Sequence, residues 1–165
     1  MKILVLSDSH SSLRFMRECV KKIKPDCVIH LGDYAEDGEV IHFENPQIEF
    51  YQVSGNCDGY MAQSPGNSIR TCIIGGVKLM FTHGHHFQVK TSLDKLIAYA
   101  RECNVDGVLF GHTHEALCQH MRDGLWVLNP GAAGFWGGSA GLIEVSEQRI
   151  TACRIIGQAA LDAVR

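Results

Sequence analysis

Asp8-Ser9-His10, Gly32-Asp33, Gly55-Asn56, His83 and Gly111-His112-Thr113-His114 distribute seven Asp, Asn and His side chains along the chain. These residue types share one chemistry, the donation of oxygen or nitrogen lone pairs to a cation. A single zinc-like ion takes three or four ligands, so seven suffice for two ions sharing a bridge. Only Asp8 and Asp33 are carboxylates able to bridge through both oxygens, and Asp33, placed between the other segments, is the favoured bridge. Mixed nitrogen and oxygen ligation without thiolate suits Mn, Fe, Zn, Co or Ni better than Ca or Mg. Two divalent cations against two carboxylates leave a positive surplus, which attracts an anionic substrate and lowers the pKa of bound water. A pair of metals about 3.5–4 Å apart clamps the attacking and leaving oxygens of an in-line displacement, which is hydrolytic phosphoryl chemistry.

Singly, each segment has an ordinary explanation. Gly32-Asp33 and Gly55-Asn56 read as turns, and a lone His83 reads as a satisfied polar residue. The placement of the set is what argues for a site, because each segment follows a predicted strand. Lys2 to Ser7, Cys27 to Leu31, Ile48 to Val53, Val77 to Thr82 and Val105 to Phe110 are apolar runs of strand length. Ligands in open α/β sheets bind outside the carboxyl ends of strands, so the five segments can converge on one crevice. In extended backbone, residues two apart point the same way, so Asp8 with His10 and His112 with His114 are expected to present paired donors.

The remaining pattern supplies the frame. Leu13, Met16, Val20 and Ile23 predict a helix capped by Ser11 or Ser12 and stopped by Pro25, giving a βαβ unit with parallel strands. Gly75-Gly76 predicts a hairpin joining Ile69–Ile74 to Val77–Thr82. Leu93, Leu96, Ile97 and Ala100 predict a second helix capped by Thr91 or Ser92. Two further hairpins are expected, Ala116–Met121 with Leu125–Leu128 and Leu142–Val145 with Ile150–Ile156. Residues 34–47, 59–68 and 132–141 read as loops, the last carrying the aromatic segment Gly134-Phe135-Trp136-Gly137-Gly138 as a cover for substrate or an oligomer contact. An α/β fold with a mixed sheet follows.

In order and approximate spacing, these motifs resemble the calcineurin-like metallophosphoesterases. The short length, Asn56-Cys57-Asp58, Thr82-His83-Gly84-His85 and Asn129-Pro130-Gly131 are most similar to the small, cap-less YfcE-like phosphodiesterase branch. The resemblance implies a four-layer α/β/β/α sandwich of two mixed β-sheets with a dinuclear centre at its edge. It also implies a pairing, with one metal on Asp8, His10, Asp33 and His114 and the other on Asp33, Asn56, His83 and His112. A metal-bridging hydroxide would then attack the phosphorus of a small phosphodiester, with two divalent transition-metal ions, Mn2+ foremost, as cofactors. The same ligands would serve a phosphomonoesterase or nucleotidase, and a protein-interaction scaffold shares the fold with a degraded site. Homo-dimers or tetramers are in keeping with the branch.

One position departs from the wider family, in which a His follows the Gly-Asn pair; here it is Cys57. A thiol is a weak acid and its thiolate would repel phosphate. Cys57 is therefore expected mainly to pack, with the leaving oxygen protonated by water, His85 or the metal-bound alkoxide. His85 is a candidate for touching substrate phosphate, and His86 for a structural or exposed role. Asp58 is expected to orient an imidazole or make a turn, and Glu36 and Asp37 to keep their loop solvated.

Composition agrees with this reading. A chain of 165 residues with 45% hydrophobic and 20% charged content fits one domain, residues 1–165. Fifteen Lys and Arg against eighteen Asp and Glu give a net charge of -3 and no basic stripe, which disfavours stable nucleic-acid binding. No apolar run approaches a membrane span or a signal peptide. The seven cysteines are scattered with no C-x-x-C spacing, as in a protein of a reducing cytoplasm.

Overall fold

A computed structural model describes residues 1–59, 65–134 and 137–163. Strand β1 (Lys2–Leu6), helix α1 (Leu13–Ile23) and strand β2 (Cys27–His30) form the expected βαβ unit, with Ile3 opposite Cys27 in parallel register. Helix α2 (Ala35–Glu44), strand β3 (Glu49–Gln52) and the single turn α3 (Pro65–Ser68) follow. The Gly-Gly hairpin is β4 (Ile69–Ile74) with β5 (Val77–Thr82). Then come α4 (Asp94–Glu102), β6 (Gly107–Leu109), β7 (Leu117–His120), β8 (Trp126–Asn129), β9 (Ser139–Ser146), β10 (Arg149–Gly157) and α5 (Gln158–Ala163).

The strands make two five-stranded mixed sheets, ordered β10-β9-β1-β2-β3 and β4-β5-β6-β8-β7. Side-chain alternation divides the interior into three apolar layers. Ile3, Val5, Cys27 and Ile29 of the first sheet face Leu79, Phe81, Leu109 and Leu128 of the second. The intervening residues Leu4, Leu6 and Val28 face outward onto Phe15, Met16 and Val20 of α1, Ile41 of α2 and Leu161 of α5. Met80, Val108 and Val127 meet Leu96 and Ala100 of α4. Strands buried on both faces read as continuous apolar runs, and three interlayer cores define the α/β/β/α sandwich. No helix among the described residues is long and apolar enough to cross a membrane.

Three differences from the sequence-based expectation have physical causes. Residues 34–47 are mostly helix, because α2 presents only Gly38 and Ile41 to the core and so shows no amphipathic stripe. Gly38 permits the close approach, since a Cβ there would lie 2.1 Å from Gln52 Oε1. Residues 65–68 are helical and β9 begins at Ser139, which shortens the other two loops. Phe135 and Trp136 of the aromatic segment and residues 60–64 lie outside the described residues. The helix starts agree with the sequence: Ser12 is the N-cap residue of α1, though without a side-chain hydrogen bond, and at α4 Ser92 Oγ accepts the Asp94 N–H at 3.1 Å.

Candidate metal centre

The C-terminal ends of β1, β2, β5 and β6 and the loop after β3 bring the seven side chains together. Asp8, His10, Asp33 and His114 each offer a donor atom within 4.8 Å of the others, and so do Asp33, His83 and His112. Asp33 belongs to both groups. Asn56 adjoins the second, its Oδ1 3.1 Å from His83 Nε2.

The backbone achieves this differently from the expected extended alternation. Asp8, His10, Asp33, His112 and His114 all have left-handed φ, between 45° and 68°. Non-glycine residues avoid this region, which costs roughly 1–3 kcal/mol each and is held only where the surroundings over-determine it. The chain therefore leaves each strand in a sharp reversal that turns the donors inward.

The surrounding residues fix these reversals. Asp58 accepts backbone N–H groups from Gly55 at 2.7 Å, Asp33 at 3.1 Å and Ala35 at 2.7 Å, tying the Asn56 loop to the Asp33 loop. Asp37, in the first turn of α2, accepts Ser9 Oγ at 2.7 Å and Ser11 N at 2.8 Å and so holds the His10 loop. Its role is structural, where solvation alone was expected; the signal lay in its place in a helix first turn, hidden with α2 itself. Asn129 donates to Gly111 O at 3.1 Å and Thr113 Oγ1 at 2.9 Å, shaping the His112–His114 loop.

Electrostatics show what the cluster can hold. His83 Nδ1 lies 2.9 Å from Leu31 O, an acceptor only, so Nδ1 carries the proton. In the neutral ring the Nε2 lone pair then faces Asn56 Oδ1 at 3.1 Å, His112 Nδ1 at 3.2 Å and Asp33 Oδ1 at 3.4 Å. Lone pairs converging in a buried site repel unless a positive charge sits among them. Burial lowers the His83 pKa, but the Asp33 hydrogen bond and the charges of Asp8 and Asp33 outweigh it and raise it overall. Burial likewise raises the Asp33 carboxyl, while His83 and the Cys57 N–H outweigh that and hold it well below the usual carboxylate range. In the first group Asp8 Oδ1 is buried, accepts no hydrogen bond among the described residues, and lies 3.1 Å from His114 Nε2. His10 Nε2 stands 3.4 Å from His114 Nε2. A donor set crowded this way fits divalent cations.

Three flanking residues complete the site. Cys57 does not pack: it is exposed, with its N–H 2.8 Å from Asp33 Oδ1 and its thiol 3.4 Å from Asn56 Nδ2. Burial first, then Asp33, Asp58 and Asp8, push that thiol up to about 11. His85 lies beside the second group, its ring centroid 5.5 Å from that of His83 and 6.1 Å from that of His112. Both its nitrogens are buried without a hydrogen-bond partner among the described residues. Burial and the neighbouring His86, His83 and His112 push its pKa down to about 4, so it is neutral near pH 7. His86 is exposed and lies against His85 with centroids 3.9 Å apart and the rings tilted by 41°.

Comparison with known proteins adds sequence and fold relatives. The profile of the calcineurin-like phosphoesterase superfamily domain matches residues 1–148. A phosphodiesterase of Methanocaldococcus jannaschii is 32% identical over 145 residues, covering 79% of this chain and 83% of its own. A crystal structure of a predicted phosphoesterase from Streptococcus pneumoniae superposes with TM-score 0.72 at 23% identity, covering 94% of this chain and 97% of its own. Vacuolar protein sorting 29 from Cryptosporidium parvum has TM-score 0.69 at 19% identity, with coverage of 94% and 97%. These two structures share the fold.

Proposed function

Because the chain belongs to the calcineurin-like phosphoesterase superfamily, we propose that it is a metal-dependent phosphodiesterase acting on small diesters. One observation carries this reading: two groups of donors, each close enough to hold a cation, share Asp33. Asp8, His10, Asp33 and His114 would hold one divalent ion, with Asp33, Asn56, His83 and His112 holding the other. When bound, such ions supply Lewis acidity toward phosphoryl oxygens and lower the pKa of water to near neutrality. The nitrogen and oxygen donor set is compatible with Mn, Fe, Zn, Co and Ni, and the resemblance to the small phosphodiesterase branch puts Mn2+ first.

The chain's own residues then have distinct tasks. Asp33 stays ionised, and the Leu31 carbonyl keeps the His83 Nε2 lone pair directed at the centre. His85, neutral and beside the second group, would donate an N–H to a phosphoryl oxygen only by turning its buried ring toward the substrate, and is too weakly basic to act as a protonated acid near pH 7. Cys57 stands at the rim as a protonated thiol, a poor source of the leaving-group proton. Weak acid assistance favours diesters with good leaving groups over alkyl monoesters. The relative named a phosphodiesterase supports the same preference.

The test is hydrolysis of bis(p-nitrophenyl) phosphate and p-nitrophenyl phosphate by metal-stripped protein, with Mn2+ titrated against wild type and Asp33→Asn. The expected result is activity that appears with Mn2+, prefers the diester and collapses in the variant. Preference for the monoester would assign a phosphomonoesterase instead. Metal binding without turnover would favour a scaffold, a role against which the seven intact donor side chains argue. Absence of metal binding would overturn the proposal.

A further inference from the structure

We propose that Cys118 and Cys153 form a reversible disulfide that staples the two sheets together, a thiol-oxidation site distinct from the metal centre. Cys118 lies on β7, the outer strand of the second sheet, and Cys153 on β10, the outer strand of the first. Each strand is paired on one side only, to β8 and to β9. The two thiols close the gap between these edges, Cys118 Sγ lying 3.0 Å from Cys153 Sγ across 35 residues of sequence. That is roughly 1 Å longer than a disulfide bond, so bond formation requires only a small rotation of the side chains. Both cysteines pack against the intersheet core and are partly buried, which holds their positions.

Burial, followed by the contact with Cys118, raises the Cys153 thiol well above the ordinary range. With hydrogen peroxide, one sulfur of the pair gives up its proton and attacks one peroxide oxygen, becoming a sulfenic acid while the departing hydroxide takes up that proton as water. The other sulfur then attacks the sulfenic sulfur, forms the S–S bond and releases a second water. Two thiols are oxidised, one peroxide is reduced, and the protons leave in the two waters. A dithiol reductant reverses the step by thiol–disulfide exchange. Of the other five cysteines, Cys19 and Cys27 are buried with thiols pushed up to about 12, Cys57 is exposed beside the candidate metal centre, and Cys72 and Cys103 are partly buried.

The staple joins segments whose separation in the unfolded chain is long, so it should stabilise the fold and stiffen β7, which begins shortly after His114. The experiment uses the full chain in a Cys57→Ser background, reduced, freed of reductant and exposed to a small excess of hydrogen peroxide. Of the seven cysteines six remain in that background. The expected result is four titratable thiols after denaturation, a Cys118–Cys153 cross-linked peptide by mass spectrometry, and a Tm raised by about 10 °C until dithiothreitol is added. Further replacement of either Cys118 or Cys153 by Ser should abolish all three changes. Retention of six thiols, cross-linking through another pair, or the same Tm gain in Cys118→Ser would overturn the proposal. None of these readouts depends on phosphodiester hydrolysis.

Discussion

The Nδ1 of His83 stands 2.9 Å from the carbonyl oxygen of Leu31, and this contact decides which ring nitrogen faces the acidic cluster. Nε2 is left to accept either a proton or a cation. In the metal-free protein Asp33 and Asp8 outweigh burial and raise the His83 pKa above its ordinary value. A group raised on folding contributes stability that is fully present below its unfolded pKa, near 6.5, and is lost as pH rises through the folded value. Cation binding must displace that proton, so the predicted metal affinity weakens as pH falls, by up to about tenfold per unit for one proton. Titration calorimetry with Mn2+ in buffers of different ionisation enthalpy should detect about one proton released near pH 6.5 and fewer at pH 8.5. An affinity flat across this range would remove His83 from the ligand set.

Asp58 supports a second prediction. Its carboxylate receives N–H groups from both Gly55 and Asp33, which precede and include two candidate ligands. Asp58→Ala leaves those donors unsatisfied, with an expected loss of about 2–3 kcal/mol in urea unfolding and 10–100-fold in kcat/KM. Asp58→Asn keeps one acceptor oxygen and should fall between. A variant with Ala at this position that loses stability yet keeps kcat/KM within about twofold would show that the carboxylate holds the fold without positioning Asp33.

The contrast between Asp33 and Asp37 shows what a single sequence makes legible. Asp33 follows an apolar strand and a glycine, so its place at a sheet edge is written locally. Asp37 acts through Ser9 and Ser11, up to 28 residues away, on a helix whose buried face is little more than Gly38 and Ile41. Neither the contact nor the helix leaves a periodic trace. The strand ends and the Gly75-Gly76 hairpin were readable because their signals are short-range. The left-handed φ values at Asp8 and His112 were not, since a tertiary requirement imposes them against residue preference. The meeting of Cys118 and Cys153 depends on the stacking of two sheets, which no local pattern encodes.

His30 gives a pH prediction of the opposite sign to that of His83. It is fully buried at the end of β2, and burial, only partly offset by Asp58, Asp8 and Asp37, pushes its pKa down to about 4. A histidine that must stay neutral when folded contributes stability present above the unfolded pKa near 6.5 and lost as pH falls toward 4. The accumulated loss is about 3 kcal/mol. His30→Asn removes this term while leaving the His83 contribution in place. Urea unfolding of metal-stripped wild type and variant at pH 7.5 and pH 4.5 should show the variant with the smaller acid penalty. Equal penalties would mean that His30 is not held neutral by burial.

Gly111 isolates the steric demand of the site from its charge. A Cβ at this position would lie 2.1 Å from Ser7 Oγ and 2.8 Å from Asp8 Oδ2. Those atoms are hydrogen-bonded to each other at 2.5 Å, and Asp8 Oδ2 also accepts His112 N at 3.1 Å. Gly111→Ala must therefore displace Asp8 or the His112 loop, with an expected loss of about 1–3 kcal/mol from overpacking and roughly 100-fold in diester hydrolysis from misplaced donors. Combining it with Ser7→Ala removes the nearer obstruction but leaves the Asp8 oxygen in the way. The double variant should regain much of the stability measured by thermal unfolding and little of the activity. If activity returned in step with stability, the close packing of Gly111 would serve the fold alone, and the position of Asp8 Oδ2 would tolerate more movement than the metal centre requires.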